Sequence, residues 1–153
     1  MSDIYQPLHA ATNADEGGSC VLVNVKPPVK SLHIMWDVTL VDALENDIDS
    51  GDPRKTAEML NRKYLGMHTP MVWTATTSDQ IAWQSLQTAS TQIYARLGLP
   101  LMTCTPNVSS CKYAPKKPVR ITFAYVNQES VVAGRQLVMA GFALADLLNS
   151  IWK

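Results

Sequence analysis

Hydrophobic residues recur at helical intervals through much of the chain. Leu32, Met35, Trp36, Leu40, Ala43 and Leu44 mark one face of a helix over about 32–46, with Ser31 placed to cap it. Pro53 suits the first turn of a second helix, through Ala57, Met59 and Leu60. Ser78-Asp79 opens a third, carrying Ile81, Leu86, Ala89, Ile93 and Leu97 and stopping at Gly98. A last helix over about 128–151 places Leu137, Gly141, Leu144, Leu148 and Ile151 on one face. Elsewhere the period changes. Cys20 to Val25 is short and β-branched and reads as a strand ended by Pro27-Pro28. Residues 99–125 are loop-rich, with Val119 to Val126 a candidate extended run. Met1 to Ala11 reads as the tail of a helix that stops at Gln6-Pro7-Leu8-His9. The expected fold class is mainly α, with one small β element.

Composition narrows the function. The chain has 153 residues, 46% hydrophobic and 17% charged, a size that suits one domain with a real core and a charge content below the globular average. Thirteen basic side chains balance thirteen acidic ones, which excludes bulk electrostatic capture of a nucleic-acid duplex but not a metal site gripping a single phosphate. No run of roughly 18 apolar residues is uninterrupted, so no membrane span is expected. The N-terminus shows no basic region followed by an apolar run, hence no visible signal peptide.

His33 and Asp37 lie four apart on the first long helix, so both project from one face and can share a metal ion. Alone, such a pair is more often a surface ion pair or a satisfied histidine. His9 changes the balance. The order Asp3-x-x-Gln6-Pro7-Leu8-His9, then Gly17-Gly18, then Leu32-His33-x-x-Trp36-Asp37 resembles the class I single-strand-specific zinc nucleases and 3′-nucleotidases, which are distantly similar to bacterial zinc phospholipase C. The stretch from Val132-Ala133-Gly134-Arg135-Gln136-Leu137 to Leu148-Asn149 is similar to that family's closing helix. Residues 50–127 match more loosely.

The resemblance implies a helical phospholipase C/zinc-nuclease-like fold with three zinc ions in a cleft. It implies that His9, His33 and Asp37 form the protein ligand set of one zinc, and that Asp3 is the carboxylate bridging the other two. The implied activity is endonucleolytic hydrolysis of single-stranded DNA and RNA to 5′-nucleotides, with 3′-nucleotidase activity, in a secreted or secretory-pathway protein. The family's motif also has a zinc-ligating histidine four residues before the aspartate matching Asp3, a position ahead of Met1. Residues 1–153 therefore resemble the C-terminal portion of one zinc-nuclease-like domain, and the missing N-terminal half becomes an expected partner. Ser2, Ser19 and Ala143 depart from the family pattern, which has glycine, asparagine and arginine there. The competing readings are a non-catalytic helical fragment keeping one zinc and a phospholipase C-like phosphodiesterase; the latter should show an apolar, membrane-facing rim.

Three cysteines and the Asn107-Val108-Ser109 sequon lean toward an oxidising compartment, with Asn107 a candidate glycosylation site. Cys104 and Cys111 are close enough in sequence to bridge, although two ordinary thiols fit as well. Cys20 is left with a partner in the missing N-terminal half or as a buried thiol in a strand. His68 falls in a loop with no ligand motif, and Trp36, Trp83 and Trp152 follow helical patterns that predict core packing.

Overall fold

A computed structural model describes residues 2–25, 29–46, 52–101, 111–112 and 114–152. Cys104 and Asn107 lie outside them. The chain starts with two 3-10 turns, Ser2–Tyr5 and Pro7–Ala10, rather than the tail of an α-helix. Pro7 lacks an N–H to continue the ladder, and the Gln6 side chain accepts from the Leu8 N–H to start the second turn. Strand β1 is Leu22–Asn24, β2 is Lys30–Ser31 and β3 is Val119–Arg120. They form one small sheet ordered β2-β1-β3, antiparallel between β1 and β2 and parallel between β1 and β3, with Val23 opposite Val119.

Helix α1 comprises Leu32–Ile34, a π-helical turn Met35–Thr39, and Leu40–Asn46. Ser31 caps it as expected, its hydroxyl accepting from the Ile34 N–H at 3.2 Å. Helix α2 is Pro53–Tyr64, capped by Asp52, and a 3-10 turn Leu65–Met67 follows. Helix α3 is Ala75–Thr88 and continues π-helically through Ala89–Tyr94; Thr74 is its cap. Helix α4 is Phe123–Ile151, capped by Thr122. It starts earlier than its apolar spacing suggests, so the extended run shrinks to Val119–Arg120.

The main core gathers Leu8, Val23, Leu32, Met35, Trp36, Leu40, Ile93 and Tyr94. Its position matters for function, because α1, the 3-10 turns and α3 all close on it and carry the polar residues of interest outward. An ion pair joins the turn after α3 to α4, where the fully buried Glu129 accepts from the partly exposed Arg96. Trp36 is buried as expected, but Trp83 and Trp152 are 60% and 75% exposed, a correction to the core packing their spacing suggests.

The buried side chains of α4 are Tyr125, Val126, Glu129, Ser130, Ala133, Ala140 and Ala143, so the small residues meet α1, α2 and the first 3-10 turn. The Leu137-to-Ile151 face points outward. By length and hydropathy α4 would suffice to cross a membrane. Its inward face nevertheless carries a paired Glu129 and packs on three other elements, so it is a helix of this fold and no membrane span is assigned.

Candidate metal centre

Three side chains converge at the exposed edge of the core. His33 and Asp37 come from α1 on either side of the start of its π-helical turn, a distortion often found at functional sites. His9 comes from the second 3-10 turn. His33 Nε2 lies 3.3 Å from one Asp37 oxygen and His9 Nε2 lies 3.5 Å from the other. The two imidazoles stack with centroids 5.0 Å apart, and one ligand atom from each of the three residues falls within 4.8 Å of the others.

Each donor is held from behind. His33 Nδ1 is 2.9 Å from the Gly17 carbonyl oxygen, which accepts only if Nδ1 carries the proton and so leaves the Nε2 lone pair facing Asp37. His9 Nδ1 faces Asp3, at 3.1 Å from its backbone oxygen and 2.9 Å from its carboxylate. Gln6 Nε2 donates to Asp37 at 2.8 Å. This bond was not apparent from sequence, although Gln6 stands in the motif; only the fold brings it against a residue 31 positions away. Replacing Gln6 by alanine is expected to weaken metal binding about 10- to 100-fold by freeing the Asp37 carboxylate. Competition against a chromophoric chelator would read the change, and an unaltered affinity would refute the positioning role.

The Gly17-Gly18 turn that presents the carbonyl to His33 has glycine for a steric reason. Both residues have positive φ, +60° and +84°, and a Cβ on Gly17 would sit 2.5 Å from the Leu8 carbonyl oxygen. Buried Asp15 pins the turn: its Oδ1 accepts from the Gly18 N–H and the Tyr94 hydroxyl, each at 3.0 Å. Burial pushes the Asp15 carboxyl above its usual range, against the lowering effect of the two hydrogen bonds, and pushes the Tyr94 hydroxyl up as well. Neither residue stands out in the sequence, because one is a loop acid and the other a helical aromatic.

A disulfide braces the same turn, and here the pairing expected from sequence is corrected. Cys111 is bonded to Cys20, 91 residues away, and not to Cys104. The parallel pairing of β1 with β3 carries the two segments alongside each other and sets their Cα atoms 5.3 Å apart, within disulfide reach. Cys20 also donates its N–H to the Asp15 carbonyl, and Cys111 donates to that of Ala14. Changing Cys20 to serine is expected to cost about 2–5 kcal/mol of stability, as for loss of a bridge closing a long loop. Urea unfolding would measure it, and an unchanged midpoint would show that the bridge holds nothing.

Asp3 is exposed and meets the opposite ring nitrogen of His9 from Asp37, outside the three-residue cluster. An open cleft of about 460 Å³, lined by Asp3, His9, Thr12, Glu16, Gly17 and His33, leads to the cluster. His68 is not part of this cluster; it lies 3.2 Å from Asp146 of α4 and against the Phe142 ring. Two imidazoles and one carboxylate with an open approach make a donor set suited to a catalytic rather than a closed structural metal site.

The S1/P1 Nuclease family matches residues 1–153, and the chain belongs to that family. It is similar to Endonuclease 3, Endonuclease 5 and Endonuclease 2 of Arabidopsis thaliana, at 31%, 28% and 26% identity over 99% of its own length. It spans about half the length of these relatives, 48% of the first two and 49% of the third. No solved structure matches it significantly.

Proposed function

We propose that this chain supplies one zinc site of a phosphodiesterase that hydrolyses single-stranded DNA and RNA to 5′-nucleotides, with 3′-nucleotidase activity on the same centre. The carrying observation is the cluster of His9, His33 and Asp37 at the mouth of a cleft, in a chain of a nuclease family. The residues fit zinc: the donor atoms are mutually close, the two imidazoles present Nε2 to the same carboxylate, and partners behind them fix their orientation. A zinc ion held there supplies Lewis-acid polarisation of a phosphoryl group and acidifies a water. The chain's own part is to keep both imidazoles aimed, through the Gly17 carbonyl and Asp3, and to steady Asp37 through Gln6. Asp3, an exposed carboxylate beside the cluster, would be available to hold the further zinc ions that the family resemblance implies.

Among the described residues, the other candidate metal cluster is Glu16 with Cys20 and Cys111, whose thiols are consumed by the disulfide. Further zinc sites therefore depend on ligands contributed from outside these residues, and the chain alone is expected to show little or no cleavage of single-stranded DNA. It is nonetheless expected to bind a nucleoside 5′-monophosphate, the product, only when zinc is present. Calorimetry with and without zinc checks this. Zinc-independent binding, or none at all, would remove the proposed function, whereas robust EDTA-sensitive cleavage by the chain alone would overturn its incompleteness. An oxidising location, secreted or luminal, is supported by the Cys20–Cys111 bridge.

A further inference from the structure

The zero net charge of the chain conceals a segregation. No acidic residue lies between Asp79 and Glu129, a stretch that holds Arg96, Lys112, Lys116, Lys117 and Arg120. Seven of the thirteen acids fall instead within residues 37–58, so local charge and not the net value governs what each surface attracts. Lys116, Lys117 and Arg120 are exposed and join none of the ion pairs among the described residues. Pro115 and Pro118 keep their segment out of a helix until it enters β3. There Arg120 pairs with Asn24, and because Val23 is fully buried, strand alternation turns Leu22, Asn24 and Arg120 outward.

This segment starts at the rim of the metal cleft. Thr12, Glu16 and Gly17 line the cleft beside His9 and His33. The same loop holds the beginning of the basic segment: the Cys111 N–H donates to the Ala14 carbonyl at 3.0 Å, Cys111 is bonded to Cys20, and Ala114 and Pro115 border a small cavity with Asn13 and Asp15. Glu16 lies at the junction with the bridge, so the acid-free run of cations begins past it, at Lys116. Cations strung along an extended segment suit a ligand whose negative charges also repeat along a line; a lone anion would need donors that converge. We propose that Lys116, Lys117 and Arg120 form a phosphate track that binds single-stranded nucleic acid beyond the metal cleft, through contacts a mononucleotide cannot reach. The track takes its ligand class from the proposed function, but it acts by charge and without zinc.

Fluorescence anisotropy of a fluorescein-labelled oligothymidylate of about twelve nucleotides, a length one such groove can cover, tests this with EDTA present. The chain is expected to bind it with a log–log salt slope of about −2, from roughly 0.7 per single-strand phosphate over three contacts. Thymidine 5′-monophosphate at the same nucleotide concentration should not displace it. Lys116→Glu with Lys117→Glu should lower the affinity at least about tenfold and flatten the slope by about one. Arg54→Glu with Lys55→Glu, at exposed positions in the first turn of α2, makes the same change in net charge and should stay within about twofold of the parent at ~0.1 M salt. Circular dichroism should match the parent in both, since all four side chains are exposed. No binding, indifference to the first pair, or equal loss in both pairs would overturn the track. So would tighter binding to phosphatidylserine vesicles than to the oligonucleotide, lost with Lys116→Glu and Lys117→Glu, which would assign these cations to a membrane surface. Because EDTA removes zinc, failure of zinc-dependent monophosphate binding would sink the proposed function and leave this measurement standing.

Discussion

Replacing His33 by alanine is expected to lower zinc affinity more than about 100-fold, beyond the loss typical of an outer partner, while the helices stay intact. His33 is half-buried and its ring makes one hydrogen bond, to the Gly17 carbonyl, that helps the fold. Its Nε2 faces Asp37, so its removal takes one of the three donors and leaves His9 and Asp37 to hold the ion. His9→Ala should act similarly. Titration against a chelating dye, with circular dichroism as the control, separates loss of a ligand from loss of structure. Equal zinc affinity in both variants and the parent would remove the ligand assignment.

The second large effect lies in the core. Replacing Arg96 by methionine should cost about 3–5 kcal/mol at neutral pH, because it strands a fully buried Glu129 carboxylate. Burial already pushes the Glu129 carboxyl above its usual range, with Arg96 holding it back by charge and hydrogen bond. A carboxyl raised in the folded state contributes stability below its ordinary range and loses that contribution as pH climbs through the raised value. Removing Arg96 raises it further. The deficit of the variant should therefore be largest near neutral pH and shrink on acidification toward about pH 3, below the ordinary glutamate value, where the carboxyl is protonated folded and unfolded alike. Urea titrations across that range measure it; a deficit that grew on acidification would contradict the assignment. Changing Glu129 to glutamine as well should flatten the pH dependence.

Local signals were read well from this sequence and long-range ones were not. Ser31 and Pro53 announce their helices because a cap and a first-turn proline act within four residues. His33 and Asp37 were legible as a pair since helix geometry alone places them together, and His9 joined them through the resemblance of its motif. The disulfide was not legible: proximity in sequence favours Cys104, whereas the parallel β1–β3 pairing brings Cys20 to Cys111. The same limit hid Asp15 with Tyr94, and Gln6 with Asp37. On α4, apolar spacing located a face but not its cover: Leu137, Leu144, Leu148 and Ile151 are exposed, while Ala133, Gly134 and Ala140 are buried. Periodicity reports that a face is apolar without reporting what covers it.

Elemental analysis of zinc per chain, after mild dialysis of the purified protein, tests the metal centre most directly. A value of about one, falling to zero in His33→Ala, is expected for a single site built from His9, His33 and Asp37. A value of zero in the folded parent protein would contradict that site, and a value near three would show that the chain binds zinc through ligands beyond this cluster.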